Sequence, residues 1–286
     1  MTRFQHSLSL LAATAALAST AVTAPDAHAQ GAAVGLAPHR AVYEMSLDRA
    51  RSGSSVTGLR GRMVYELSGS RCEGWTQTIR FVTEMTGSDG QLTLNDMRSS
   101  TFEDDAAREF RFNTTQQRDQ RTTETTNGEA RRDGTAVNVE LRQPSRKNLK
   151  LEGRVYFPIE HWIALVAAAR KGDTVLRADI YDASEKGEKV YETSSIIGAR
   201  RAPGANAKLA SATGADLLDG VASWPVTISY YERGAAGGDA APVYELSFLY
   251  FENGVSRRIV IDYGEFAMKG EMREITFLTT KPCDRR

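Results

Sequence analysis

The sequence predicts an all-β fold of roughly a dozen or more antiparallel strands joined by short connections. Three observations support this prediction. Apolar and polar residues alternate with a period of two along several segments, which is typical of strands with one buried face. Dipeptides that favour tight turns lie between these segments, and a single segment has the period of an amphipathic helix.

Residues 1–29 have the pattern of a secretory signal peptide. Arg3 precedes an uncharged stretch of Leu, Ala, Ser, Thr and Val at 8–24, and Ala27-His28-Ala29 suits cleavage. We expect Sec export into the periplasm of a Gram-negative bacterium. The mature chain would then be a soluble single domain, residues 30–286, with no transmembrane segment. The alternative is a membrane anchor, for which the stretch is short and only weakly hydrophobic.

The strand pattern begins near residue 40. Tyr43, Met45 and Leu47 fall on one side of the first predicted strand, with polar residues between them. The same alternation returns at 75–81 and 259–263. Each of these segments therefore predicts a half-buried strand.

Turn signals separate the predicted strands. Asn253-Gly254 lies between the apolar runs 243–251 and 255–263, which is a strong hairpin signal because both residues tolerate a positive φ. Further turns are indicated by Asp89-Gly90, Asn127-Gly128 and Asp133-Gly134. The connections are therefore expected to be short.

One segment, 158–170, predicts a helix. Pro158 suits a first helical turn, and Gly172 follows the basic last turn. The apolar positions at i, i+3, i+4 and i+7 are Ile159, Trp162, Ile163 and Val166. A lone helix in an all-β chain is expected to plug or cap the sheet, because its apolar stripe must be buried.

The charge of the chain is balanced, with 36 basic and 36 acidic side chains. Such a balance provides no general attraction to nucleic acid or to an anionic membrane surface. We therefore expect no nucleic-acid partner.

The two cysteines, Cys72 and Cys283, lie far apart in the chain. In an oxidising compartment a structural disulfide is the simplest interpretation of such a pair. The alternative is two free or metal-binding thiols. CxxC is absent, which argues against a redox catalyst.

The predicted mature chain is poor in general bases, since it contains two histidines, His39 and His161. Glu160 and His161 could form an acid–base pair, but adjacent helical residues point about 100° apart, so a packing role for His161 is favoured. His39 is interpreted as an entry-loop residue that anchors the first strand. GxSxG, HExxH, a P-loop and GxGxxG are all missing. No catalytic residue, cofactor or metal is therefore assigned.

Paired carboxylates allow a second interpretation. Glu103, Asp104 and Asp105 have the pattern of a solvated turn, and Asp262 with Glu265 that of the polar face of a strand. A glycosidase requires two such groups converging in one cleft. A carboxylate hydrolase of envelope polymers therefore stays the alternative function.

Aromatic residues are expected to point inward if the sheet curls. They are Tyr43, Trp75, Phe81, Trp162, Trp224, Tyr230, Tyr250 and Phe266. One interpretation is an ordinary filled core. The other is a curved sheet around an apolar cavity, lined by the helix stripe with Trp75 and Trp224, since a large barrel has an interior that side chains alone do not fill.

Several short motifs, in their order along the chain, resemble the EipB family of periplasmic proteins of alphaproteobacteria. The motifs are Pro38-His39-Arg40-Ala41-Val42-Tyr43, Cys72 shortly before Trp75, Phe157-Pro158 with His161, the segment from Tyr250 to Ser256, Asp262-Tyr263-Gly264 and the final Cys283. The resemblance spans essentially the whole predicted mature chain. The chain departs from the family mainly in the Gly- and Ala-rich segment before Pro242.

The resemblance implies a β-spiral or open barrel of about fourteen antiparallel strands, with one or two short helices and a cavity. It also implies a disulfide between Cys72 and Cys283. The fold would be similar to that of LolA, LolB and RseB. The family supports cell-envelope integrity under stress and has no known catalytic residue.

The sequence therefore favours a monomeric, non-enzymatic periplasmic protein that supports envelope integrity. Its curved sheet would bind a hydrophobic ligand such as an acyl chain, a lipoprotein or peptide, or another periplasmic protein.

Overall fold

The structure, a computed structural model, describes residues 34–205, 209, 212–234 and 241–280. The strands are β1 (His39–Ala50), β2 (Val56–Ser70), β3 (Gly74–Gly87), β4 (Leu92–Glu103), β5 (Glu109–Arg118), β6 (Arg121–Asp133), β7 (Ala136–Gln143), β8 (Lys147–Leu151), β9 (Val155–Tyr156), β10 (Val175–Ile180), β11 (Tyr191–Ile197), β12 (Ser223–Glu232), β13 (Tyr244–Phe251), β14 (Ser256–Asp262) and β15 (Phe266–Phe277). The described residues contain one α-helix, α1 (Pro158–Lys171), and two 3-10 turns, Glu185–Gly187 and Ala215–Leu218.

All 15 strands belong to one sheet, in the order β8-β7-β6-β5-β4-β3-β2-β1-β15-β14-β13-β12-β11-β10-β9. Neighbouring strands are antiparallel except for β9 and β10. The described chain enters the middle of the sheet at β1, meanders to the β8 edge and passes directly to β9 at the opposite edge. Helix α1 then connects β9 to its parallel neighbour β10, and the chain meanders back to β15 beside β1. The predicted all-β fold is confirmed, with slightly more strands than the resemblance implied.

The alternation that predicted the strands corresponds to the two faces of this sheet. Ala41, Tyr43 and Met45 of β1 are buried, whereas Arg40 and Glu44 are exposed. Successive side chains of a strand point to opposite faces, so the buried set defines the concave face of the curved sheet.

The sheet curls into a nearly closed barrel, and side chains rather than backbone hydrogen bonds span the remaining gap between its edges. Lys147 of β8 forms an ion pair with Glu188. Gly187 has a φ of 75°, which favours glycine, and an added Cβ there would lie 2.6 Å from the side chain of Leu141 on β7, so the chain passes close to β7 at this point.

Helix α1 packs on the concave face. Leu165 and Val166 are fully buried in the main core, and Ile159 packs with Leu67 and Trp75 in a smaller cluster. The helix follows the predicted bounds to within one residue. No helix in the described part of the chain is long and apolar enough to span a bilayer.

Candidate functional site

A partly open cavity of about 200 Å³ lies between α1 and the concave face of the sheet. Strands β1, β2, β3, β13 and β14 form its walls. Its apolar lining consists of Leu36, Met63, Leu67, Ile79, Ile159, Trp162, Leu246, Phe248, Ile259 and Ile261. Met63, Ile79, Leu246 and Ile261 are only half-buried, so apolar surface inside the barrel is left accessible.

The polar side chains of the lining are all uncharged or weakly basic. They are His39, Tyr43, Tyr65, Gln77, Tyr250 and Ser256. The Tyr43 hydroxyl donates to the Ser256 carbonyl oxygen at 2.7 Å. Burial raises the pKa of Tyr43 and Tyr65 well above the ordinary tyrosine value. Since none of the described lining residues is Asp, Glu, Lys or Arg, the cavity favours a ligand without charge at this point.

His39 begins β1 and is almost completely buried. Its ring lies 5.4 Å from the Tyr65 ring and 6.2 Å from the Phe277 ring, between centroids. Its Nδ1 is 2.7 Å from the Ala37 carbonyl oxygen. Burial lowers the pKa of His39, so its imidazole is neutral at pH 7. His39 is thus part of the first strand and of the cavity wall, and not of an entry loop as the sequence suggested.

A buried carboxyl group caps the helix beside the cavity. The two Glu103 oxygens accept the backbone N–H groups of Ile159 at 2.8 Å and of Glu160 at 2.7 Å. Burial raises the pKa of Glu103 to about 8, although these hydrogen bonds act in the opposite direction. The expectation that Glu103 lies in a solvated turn was wrong, because its side chain is 3% exposed.

The Glu160 carboxylate is held by two arginines. Arg132 donates to it at 2.8 Å, and Arg154 also binds it. Its neighbour His161 is buried, and its Nε2 has no hydrogen-bond partner among the described residues. Burial lowers the pKa of His161 to about 4. This geometry agrees with a packing role for His161 and provides no Glu160–His161 acid–base pair.

The family model described as EipB-like matches residues 30–279 of the chain. The chain belongs to the EipB-like family. It is 34% identical over 249 residues to the cell envelope integrity protein EipB of Brucella abortus (strain 2308), covering 87% of this chain and 86% of that protein. The crystal structure of a beta-barrel-like protein of a domain of unknown function from Brucella abortus is also similar. It superposes with a TM-score of 0.79 at 33% identity and covers 86% of this chain and 100% of that chain.

In this EipB-like chain the side chains singled out by the sequence are distributed over three places. Ile159 and Trp162 line the cavity. Trp75 is buried in the small cluster beside Ile159, and the half-buried Ile163 packs against the same cluster. Val166 and Trp224 lie in the main core and are absent from the cavity lining.

The sequence reasoning missed most of the lining. Gln77 and Leu246 lie on predicted strands, where period two places them on a face but does not identify a cavity, and Met63 lies on β2, which the sequence analysis did not single out. Gln77 could have been noticed because it is a polar residue on the same face of its strand as the apolar Trp75 and Ile79, which were expected to point inward. That signal alone does not distinguish a binding residue from a solvated one.

Among the described residues that line the cavity there is no Asp or Glu. The second predicted carboxylate group is engaged elsewhere, since Asp262 pairs with Arg49 and Glu265 accepts the backbone N–H of Ser55. Within the described part of the chain no three His, Cys, Asp or Glu side chains come together as a metal site requires. The described residues therefore provide no pair of acidic side chains in this cavity that would support the alternative of a hydrolase.

The predicted disulfide is only partly within the described residues. Cys72 follows β2 and is disulfide-bonded. Cys283 lies outside the described residues, as does the predicted signal peptide. The pairing of Cys72 with Cys283 and the cleavage near Gln30 stay predictions.

Proposed function

We propose that this chain supports the integrity of the cell envelope from the periplasm by binding an acyl chain or a similar apolar segment in the cavity beside α1, without covalent chemistry. The observation that carries the proposal is the cavity itself, whose lining, as far as the structure describes it, is mostly apolar and includes no Asp, Glu, Lys or Arg. The family relationship supports the envelope role, because a relative is named a cell envelope integrity protein.

The size of the cavity limits what it holds. A cavity of roughly 150 Å³ lined by Leu, Ile and Phe is large enough for benzene. At about 200 Å³ the present cavity accommodates one short stretch of an alkyl chain. A longer ligand must therefore continue past the half-buried Met63, Ile79 and Ile261 into the open part of the barrel.

The proposal is tested with N-phenyl-1-naphthylamine, an uncharged dye that fluoresces in apolar sites. We expect saturable binding by the purified mature protein. Ile79→Asp places an unpaired charge in the lining and is expected to weaken binding at least about tenfold, because the charge must be desolvated when the dye enters. Ser100→Asp is the matched control, since Ser100 is exposed on the neighbouring strand.

Circular dichroism establishes that both variants are folded, and survival of cells in detergent measures the biological effect. We expect Ile79→Asp to impair survival and Ser100→Asp to preserve it. Dye binding that is absent from the native protein, or equal in the folded Ile79→Asp variant, would contradict the proposal.

A further inference from the structure

We propose that the end of the cavity formed by His39 and Gln77 recognises a neutral amide at the head of an acyl chain. His39 would accept the amide N–H, and Gln77 would donate to the amide carbonyl oxygen. This inference rests on the proposed function and specifies its ligand.

The hydrogen bond of His39 determines which ring nitrogen is available. A backbone carbonyl oxygen only accepts hydrogen bonds, so Nδ1, 2.7 Å from the Ala37 oxygen, carries the proton. In a neutral ring Nε2 is then an acceptor. Nε2 makes no hydrogen bond with any described residue, although His39 lines the cavity. His39 therefore presents an unused acceptor.

Gln77 presents the complementary group. Its Oε1 accepts the Tyr65 hydroxyl at 3.4 Å. Its Nε2 donates to no group in the described part of the chain. The lining of the cavity at this end thus combines an unused donor with the unused acceptor of His39.

The sheet register places the two groups on one face. His39 is directly opposite Leu67, and Leu67 is directly opposite Gln77. With neighbouring strands almost 5 Å apart, the backbones of His39 and Gln77 are separated by about 10 Å. An amide carries its donor and its acceptor on different atoms, so it spans a wider gap than a single hydroxyl oxygen.

The uncharged side chains of the described lining argue against acidic head groups at this end. A carboxylate or phosphate would be buried without a cation and would face the lone pair of His39. The carbonyl oxygen of an ester would accept a hydrogen bond from Gln77, but an ester has no N–H group to donate to His39. An amide satisfies both groups.

The test compares N-methyldecanamide, methyl decanoate and decanoate by titration calorimetry at pH 7.5. The amide and the ester share the tail and the carbonyl oxygen and differ in one N–H. We expect the amide to bind about tenfold more tightly than the ester, as one hydrogen bond to a buried acceptor suggests. Decanoate is expected to bind least well.

Two variants assign the effect to its residues. His39→Phe keeps a ring but removes the acceptor, so the advantage of the amide should disappear while ester binding is retained. Gln77→Leu removes the donor and should weaken the amide and the ester alike. Retained ester binding by His39→Phe shows in the same experiment that the cavity is intact.

Two sources share this chemistry, an N-acylated polypeptide terminus and an N-acylated amino sugar. An N-decanoylated tripeptide amide and N-decanoylglucosamine in the same titration distinguish them. Equal affinities for amide and ester, or an amide advantage that survives His39→Phe, would overturn the inference and leave the proposed function intact. Failure of every tailed ligand and of N-phenyl-1-naphthylamine would instead remove the proposed function.

Discussion

His161 and His39 are buried imidazoles whose neutral form is stabilised by burial. For His161 the shift is large, since burial lowers its pKa from 6.5 to about 4. A group whose pKa is lower in the folded state binds fewer protons there than in the unfolded chain, so acid favours unfolding. The stabilising effect is complete above pH 6.5 and is lost as the pH falls towards 4.

This difference predicts how a variant responds to acid. In His161→Phe the buried ring no longer titrates. Between pH 7 and pH 4 the native protein should therefore lose roughly 3 kcal/mol more unfolding free energy than the variant. Urea denaturation of both proteins at the two pH values measures the difference. Parallel losses would show that His161 is protonated in the folded protein without penalty.

At the scale of single elements, α1 depends on a cap from a distant strand. Its first turn presents free backbone N–H groups, and those of Ile159 and Glu160 both donate to Glu103 at the end of β4. The helix begins at Pro158, which has no N–H to satisfy. The cap therefore links the start of the helix to the sheet beside the cavity.

Glu103→Gln is expected to destabilise the fold. The substitution keeps the shape but turns one acceptor into an NH₂ group that faces a backbone N–H, which leaves a buried donor without a partner. We expect a loss of roughly 2–3 kcal/mol in unfolding free energy, measured by urea denaturation. Asp105→Asn is the control, because Asp105 is exposed in the following turn. Equal stability of the two variants would contradict the capping role.

At the scale of the whole molecule, a barrel that closes through side chains benefits from a covalent link. Cys72 lies in the turn between β2 and β3 and is disulfide-bonded. A bond to Cys283 would close residues 72–283 into one loop, which restricts the unfolded state. The midpoint of thermal unfolding should then depend on the redox state.

We expect Cys72→Ser and Cys283→Ser each to lower the melting temperature by about 5–10 °C under non-reducing conditions. Adding dithiothreitol should lower the melting temperature of the native protein to that of the variants and leave the melting temperatures of both variants unchanged. Circular dichroism melts of all three proteins provide the measurement. A native melt that is insensitive to reduction would rule out a structural disulfide.

Local features of the sequence were sufficient to predict several strands, one hairpin and the helix. The alternation around Tyr43 and Met45 predicted a strand, and Asn253-Gly254 predicted the hairpin of β13 and β14. Pro158 and Gly172 bounded the helix. Each of these features depends on backbone preferences within a few residues, so the sequence determines them without reference to the rest of the fold.

Only the tertiary structure determined which side chains come together at the cavity and at the start of α1. Glu103 resembles a turn residue until the helix that it caps, 56 positions further along the chain, is placed against it. Trp75 and Ile79 share one face of β3, yet only Ile79 lines the cavity. His39 and Gln77 both line the cavity, and the register of β1, β2 and β3 places them level with each other, two strands apart. A side chain's face follows from local periodicity, whereas its neighbours and the space between them depend on the curvature of the whole sheet and the position of α1.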